Sequence, residues 1–179
     1  MKKLMLVGVL CLAGFALAPL ASASALTGTC VLHGTAKFTP NLTKNLEPGV
    51  EYSFVSDQKG AGSSCVEPPS SAKKSAAAHV AGKGELACTH AKGGLVTLAG
   101  ETEAPGIGGL SIEGGAEISF KLQFVAAGGN VALVVTSNGG TATGNATFLK
   151  SENEKPGSCV GTAGVAELEF EAAVAGTIS

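Results

Sequence analysis

The sequence has no tryptophan, one tyrosine and no arginine, so all twelve of its cations are lysines. Nucleic-acid binding draws its affinity from clustered cations on phosphates. Twelve lysines against fourteen acids, with no arginine fork, exclude that class. Without tryptophan there is little to build an exposed aromatic platform for sugar rings. Asp57 is the single aspartate and belongs to no DxDxDG pattern, so no calcium loop is encoded. No CxxC pair occurs, which removes the usual zinc spacing. Gly62-Ser63-Ser64-Cys65 lacks the closing glycine of a nucleophile elbow. Gly106-Ile107-Gly108-Gly109 has no GK[ST] and no strand-to-helix transition, so it reads as a turn and not as a phosphate loop. The 26 glycines have no period of three, which excludes a collagen-like chain.

What the chain does have begins at its N-terminus. Lys2 and Lys3 precede a nearly unbroken apolar run over 4–17, and Ala21-Ser22-Ala23 and Ala23-Ser24-Ala25 are small-x-small cleavage signals. Residues 1–25 read as a secretory signal peptide, removed near Ala23 to Ala25. A membrane anchor would need about 20 apolar residues, and Pro19 interrupts this run first. Loss of Lys2 and Lys3 leaves ten lysines against fourteen acids, a net charge of −4. No later stretch is long and apolar enough to cross a bilayer; the longest, 122–135, is broken by Gly128, Gly129 and Asn130. Residues 26–179 are therefore expected to form one secreted domain, extracellular or in the cell envelope.

That domain is lean in large apolar side chains. Leu, Ile, Val and Phe supply 35 of its 154 residues, or 23%, not far above the roughly 20% that marks disordered chains. Something besides a hydrophobic core is needed to hold it. Cys11 leaves with the signal, and Cys30, Cys65, Cys88 and Cys159 remain. An even count in an oxidising compartment reads as two disulfides, with three possible connectivities. The favoured pairing is Cys30–Cys65 and Cys88–Cys159, because the segments around Cys30 and Cys65 flank a hairpin expected to turn over 45–49.

Alternation of apolar and polar residues places successive side chains on opposite faces of a strand. It is clearest in Ile118-Ser119-Phe120-Lys121-Leu122-Gln123-Phe124, in Ala166-Glu167-Leu168-Glu169-Phe170-Glu171 and in Val50-Glu51-Tyr52-Ser53-Phe54. Residues 131–136 are rich in β-branched side chains after a Gly-Gly-Asn turn signal. Weaker strands are expected over 29–39, 84–89, 95–99, 110–113 and 142–149. Turn residues separate them, among them 105–109, Gly114-Gly115 and Asn138-Gly139-Gly140. With no amphipathic helix in between, the chain should be all-β: an antiparallel sandwich or barrel of about 8–10 short strands with two disulfides. Residues 57–83, with Pro68-Pro69 and an alanine-rich piece, read as a long surface loop tied at Cys65.

The residues capable of chemistry are few. His33, His79 and His90 are the histidines, and nothing in the local sequence aims an acid at any of them. Cys88 and His90 would share one face of a strand, but disulfide bonding removes the thiolate such a nucleophile needs. Glu101 and Glu103 form one carboxylate pair. Glu167, Glu169 and Glu171 line one face of the last strand, where alternation already accounts for them as the wet side. Phe54, Phe120, Phe124 and Phe170, with Tyr52, fall on the apolar side of their strands.

The stretch Cys30-Val31-Leu32-His33-Gly34-Thr35-Ala36-Lys37-Phe38-Thr39-Pro40, the central Gly84-Glu85-Leu86-Ala87-Cys88 and the closing Cys159-Val160-Gly161, together with the signal, resemble small secreted, disulfide-containing β-rich proteins of high-GC, actinobacterial-type bacteria. That resemblance implies a secreted β fold and carries over no catalytic residue. The leading expectation is a non-enzymatic binding or structural module, with no cofactor and no metal, whose partner is a protein or a cell-wall polymer. The second is a secreted hydrolase with a His/Glu site, using His33, His90 or the Glu101/Glu103 region; separately, His33, His90, Glu167, Glu169 and Glu171 are the weak candidates for binding. The third is a ligand-carrying barrel with an apolar lumen lined by the Phe-bearing strands. It ranks last because a lean core makes a large lumen costly, although the chain can supply the roughly eight strands required.

Overall fold

The computed structural model describes residues 25–44, 52–58, 62–89, 95–127, 130–150, 159 and 164–179. Within them the chain is all-β and forms nine antiparallel strands: β1 (Leu26–Leu42), β2 (Tyr52–Gln58), β3 (Ser64–Val66), β4 (Lys73–Thr89), β5 (Leu95–Ile112), β6 (Ile118–Ala127), β7 (Asn130–Ser137), β8 (Gly140–Lys150) and β9 (Val165–Ile178). Each strand from β4 to β9 pairs with the next, and β9 returns to pair with β1. Between β1 and β4 lie β2 and β3, end to end: β1 pairs with β3 over Thr29–Val31 and with β2 over Thr35–Thr39, and β4 pairs with both. The sheet thus closes into a barrel with eight strand positions, one of them shared by β2 and β3. No helix among the described residues is long and apolar enough to cross a membrane.

Alternation determines which side faces in. Along β6, Ile118, Phe120, Phe124 and Ala126 are buried while Ser119, Lys121 and Gln123 face out. The outer wall is mostly Thr, Ser, Glu, Lys and Ala, with Ile107, Val125, Val134 and Leu149 also exposed on it.

The strands are not all short. β1, β4, β5 and β9 run 17, 17, 18 and 14 residues, beyond the usual 3–10. Such lengths must coil to close a barrel, and bulges and glycines let them bend. Gly100 is one such point: its φ is +121°, and a Cβ there would run into the carbonyl oxygen of Glu85 on β4. A bulge follows between Glu101 and Gly106. There the Thr102 hydroxyl bridges the gap, accepting from the Phe124 amide at 3.2 Å and donating to the Phe124 carbonyl at 3.5 Å.

Two expectations are corrected. Residues 57–83 are not a long loop: Asp57 and Gln58 end β2, 64–66 form β3, and β4 begins at Lys73. Alanine favours helices in isolation, but Ala76, Ala78 and Val80 alternate inward, and pairing with β5 overrides the propensity. Nor do residues 105–109 turn the chain; they continue β5. Pro105, which cannot donate to a ladder, sits in the bulge, where that costs least. The glycines then form a floor for larger neighbours. The Phe120 ring lies over Gly108 inside the barrel, 2.7 Å from where a Cβ would stand, and the His79 ring and Glu117 carboxylate lie over Gly109 outside. The expected turn at Asn138-Gly139 is present between β7 and β8, with Ser137 paired to Gly140. The turn over 45–49 lies outside the described residues, although the β1–β2 hairpin it would join is formed.

Both disulfides are those favoured from the sequence. Cys30–Cys65 links β1 to β3 directly across their register, and Cys88–Cys159 ties the end of β4 to the segment between β8 and β9.

The two ends of the barrel differ. At one end β5 pairs with β8 through Leu95↔Leu149 and Val96↔Phe148, beyond the β6–β7 hairpin. The Cys88 amide also donates to the Thr43 carbonyl at 2.8 Å, joining the end of β1 to β4. The ring is narrower here. Leu42, Leu86, Leu98, Val165 and Leu168, all 2% exposed or less, plug it beside the Cys88–Cys159 bond.

Candidate functional site

The candidate carboxylates and His33 meet on the outer wall. β1 and β9 pair so that His33 faces Glu171, Thr35 faces Glu169 and Lys37 faces Glu167. His33 Nδ1 lies 3.6 Å from a Glu171 carboxylate oxygen, and Lys37 Nζ lies 3.8 Å from Glu167. The His33 and Glu171 side chains are 39% and 55% exposed. A histidine beside a carboxylate is half of a general-base arrangement. Among the described residues neither side chain is bonded to a hydroxyl or thiol nucleophile, and the pair stands on the outer face of the wall.

Ser63 lies beside the main chain of His33. It is buried, accepts from the His33 amide at 2.9 Å and donates to the His33 carbonyl at 3.2 Å. It fills the gap in the ladder where β1 passes from β3 to β2. Its hydroxyl is engaged with the main chain of His33 and not with the imidazole.

The remaining candidates do not converge on this pair. His79 is exposed on β4, above Gly109. His90 lies outside the described residues, as do the side chains of Tyr52, Phe54 and Glu103. Glu101 is exposed on β5 opposite Glu85. Glu117 engages the Ser111 hydroxyl at 3.4 Å, and Glu113 accepts from the Ser75 amide at 3.4 Å. No three His, Cys, Asp or Glu side chains gather closely enough to hold a metal ion among the described residues.

Exposed cross-strand ion pairs contribute between nothing and about 1 kcal/mol. Glu171→Gln is therefore expected to change the unfolding free energy by less than about 0.5 kcal/mol, measured by urea denaturation. A loss several times larger would show that the pair is part of a coupled network.

The feature that the candidate list missed lies inside. The wide half of the barrel holds a partly open cavity of about 100 Å³. Its wall draws on seven strands, and Phe38, Phe120, Phe124, Phe148 and Phe170 contribute their rings. It reaches the barrel end where β1 begins and β9 finishes, at Leu26 and Ile178, and extends the other way as far as Leu98, Phe38 and Phe148. The space exists because inward positions on neighbouring strands carry almost no side chain: Ala142 and Ala146 on β8, Ala172 and Gly176 on β9, Gly28 and Ala36 on β1. Phe120, Phe124 and Phe170 were legible as apolar-side residues, and all three line the space. The small residues beside them were the available signal: inward-facing alanine and glycine in register on adjacent strands.

In comparisons with protein families, with curated proteins and with solved structures, the chain matches none.

Proposed function

We propose that this chain is a secreted, non-enzymatic barrel that carries a small ligand in its wide half. The observation that supports this reading best is the apolar cavity inside a closed, twice-bridged barrel. An eight-position barrel is just wide enough to be filled by side chains or to hold one small ligand, and here alanines and glycines leave part of it unfilled. The lean core, which counted against a carrier in the sequence, favours one once the small residues are seen to face a common space. Secretion is supported by the signal-like first 25 residues and by two disulfides, which persist in oxidising compartments. The resemblance to small secreted β-rich bacterial proteins agrees with it. The outer His33–Glu171 pair serves the wall and performs no chemistry in this reading.

The test uses protein exported by an expressing bacterium, with its disulfides intact. Its mass should correspond to cleavage near Ala23 to Ala25, its melting temperature should rise with at least one class of small molecule, and a hydrolase substrate panel should give no turnover. Turnover that is lost in His33→Ala would overturn the proposal in favour of a hydrolase.

A further inference from the structure

The carrier reading leaves the ligand's chemistry open, and the cavity wall constrains it. None of the residues lining the cavity bears a hydroxyl, an amide or a charge; all are Gly, Ala, Val, Leu, Ile, Phe or Cys. Cys30 is oxidised, so it offers no thiol. The backbone groups of the wall are committed to the strand ladder. A water molecule inside would need two to four polar partners, and the side chains of this wall offer it none. A cavity of roughly 150 Å³ lined by Leu, Ile and Phe takes up benzene or xenon, and this one, at about 100 Å³, is somewhat smaller.

Resting on the carrier reading, we infer that the wide half of the barrel is a dry site for one small, uncharged, apolar group of at most about benzene's size: a hydrocarbon ring or a short branched chain. A carboxylate or hydroxyl placed there would lose its hydration and find no donor or acceptor, a penalty that a fully apolar guest does not meet. A longer molecule would have to lead with such a group and leave the rest outside. Its exit is the Leu26 and Ile178 end, because Leu42, Leu86, Val165 and Leu168 plug the other.

The deciding experiment follows the methyl resonances of Val131, Leu133 and Val174, which line the cavity, in the oxidised protein during titration with benzene, cyclohexane, phenol, benzoate and decanoate. Benzene should shift these methyls saturably, with the bulkier cyclohexane weaker, phenol at least about tenfold weaker and benzoate silent. Ala146→Leu, which adds three carbons to the cavity wall, should weaken benzene at least about tenfold. Should that variant fail to fold, Ala172→Val makes a smaller intrusion with the same expected direction. Glu169→Gln, on the outer wall, should leave binding unchanged. If benzoate or decanoate binds the same methyls more tightly than benzene, the carrier reading survives and the inference of an uncharged guest fails. If none of the five probes moves those methyls, both fail.

Discussion

Removing the Cys88–Cys159 bond, by Cys88→Ala together with Cys159→Ala, is expected to lower the unfolding free energy by about 4 kcal/mol. The bond spans 71 residues of sequence. Closing a loop of that length restricts the unfolded chain, and the loop-entropy relation gives about 4.4 kcal/mol at 25 °C. The bond also has a local role. Cys88 is fully buried and Cys159 is 7% exposed, and between them they fasten the segment joining β8 and β9 against the narrow end. A domain of this size has a total stability of about 5–15 kcal/mol, so the loss takes a large share. The check is urea denaturation of the oxidised wild type and the double variant, compared at their midpoints. A loss below about 1 kcal/mol would mean that the narrow end is held by its leucines alone.

The second large effect concerns those leucines. Leu98→Ala should cost about 3–5 kcal/mol, the range for deleting a fully buried leucine that leaves a void. Leu98 is 2% exposed and stands where the plug meets the cavity. Its loss should therefore lengthen the existing space towards the narrow end. Leu86→Ala should cost a similar amount, because Leu86 is also fully buried. Leu86 does not line the cavity, so its deletion opens a separate void in the plug. The two variants should part company when an apolar guest is added. A ligand that binds only the folded state stabilises it by mass action, so benzene should restore more of the lost stability to Leu98→Ala than to Leu86→Ala. Equal recovery in both would place the guest somewhere other than the space Leu98 borders.

The strands that the sequence revealed and those it hid differ in one physical respect. In β6 over 118–124 and in the first half of β9 the inward residues are large and apolar and the outward ones polar, as with Phe120 beside Lys121 and Leu168 beside Glu169. Polarity then alternates with period two, and the strands can be read directly. In β4 the inward row includes Ala76, Ala78, Gly82 and Gly84, and in β5 it includes Gly100, Gly106 and Gly108. Here the pattern is one of small residues, which local rules assign to helix or turn. Only pairing with distant strands keeps them extended. The cysteine pairing was legible because the β1–β2 hairpin brings its outer ends together, and because two bridges leave the second pair no alternative. An apolar lumen lined by the Phe-bearing strands was the third reading; the small residues that open it were not legible for the same reason that β4 was not: Ala78, Ala142, Ala146 and Ala172 carry no polarity contrast to count. Their common direction appears only once the strands are in register. The outer candidates, by contrast, were placed correctly on the wet face of β9, and their pairing with His33 and Lys37 needed only the β1–β9 register.

A carrier needs the apolar space inside the wide half of the barrel to be open to a guest. A crystal structure of the oxidised protein under xenon pressure tests this most directly. A xenon peak is expected inside the barrel among Phe124, Val131 and Leu133, with no hydrogen-bonded water in the same space. An ordered water chain there, or side chains closed over the space with no xenon inside, would contradict it.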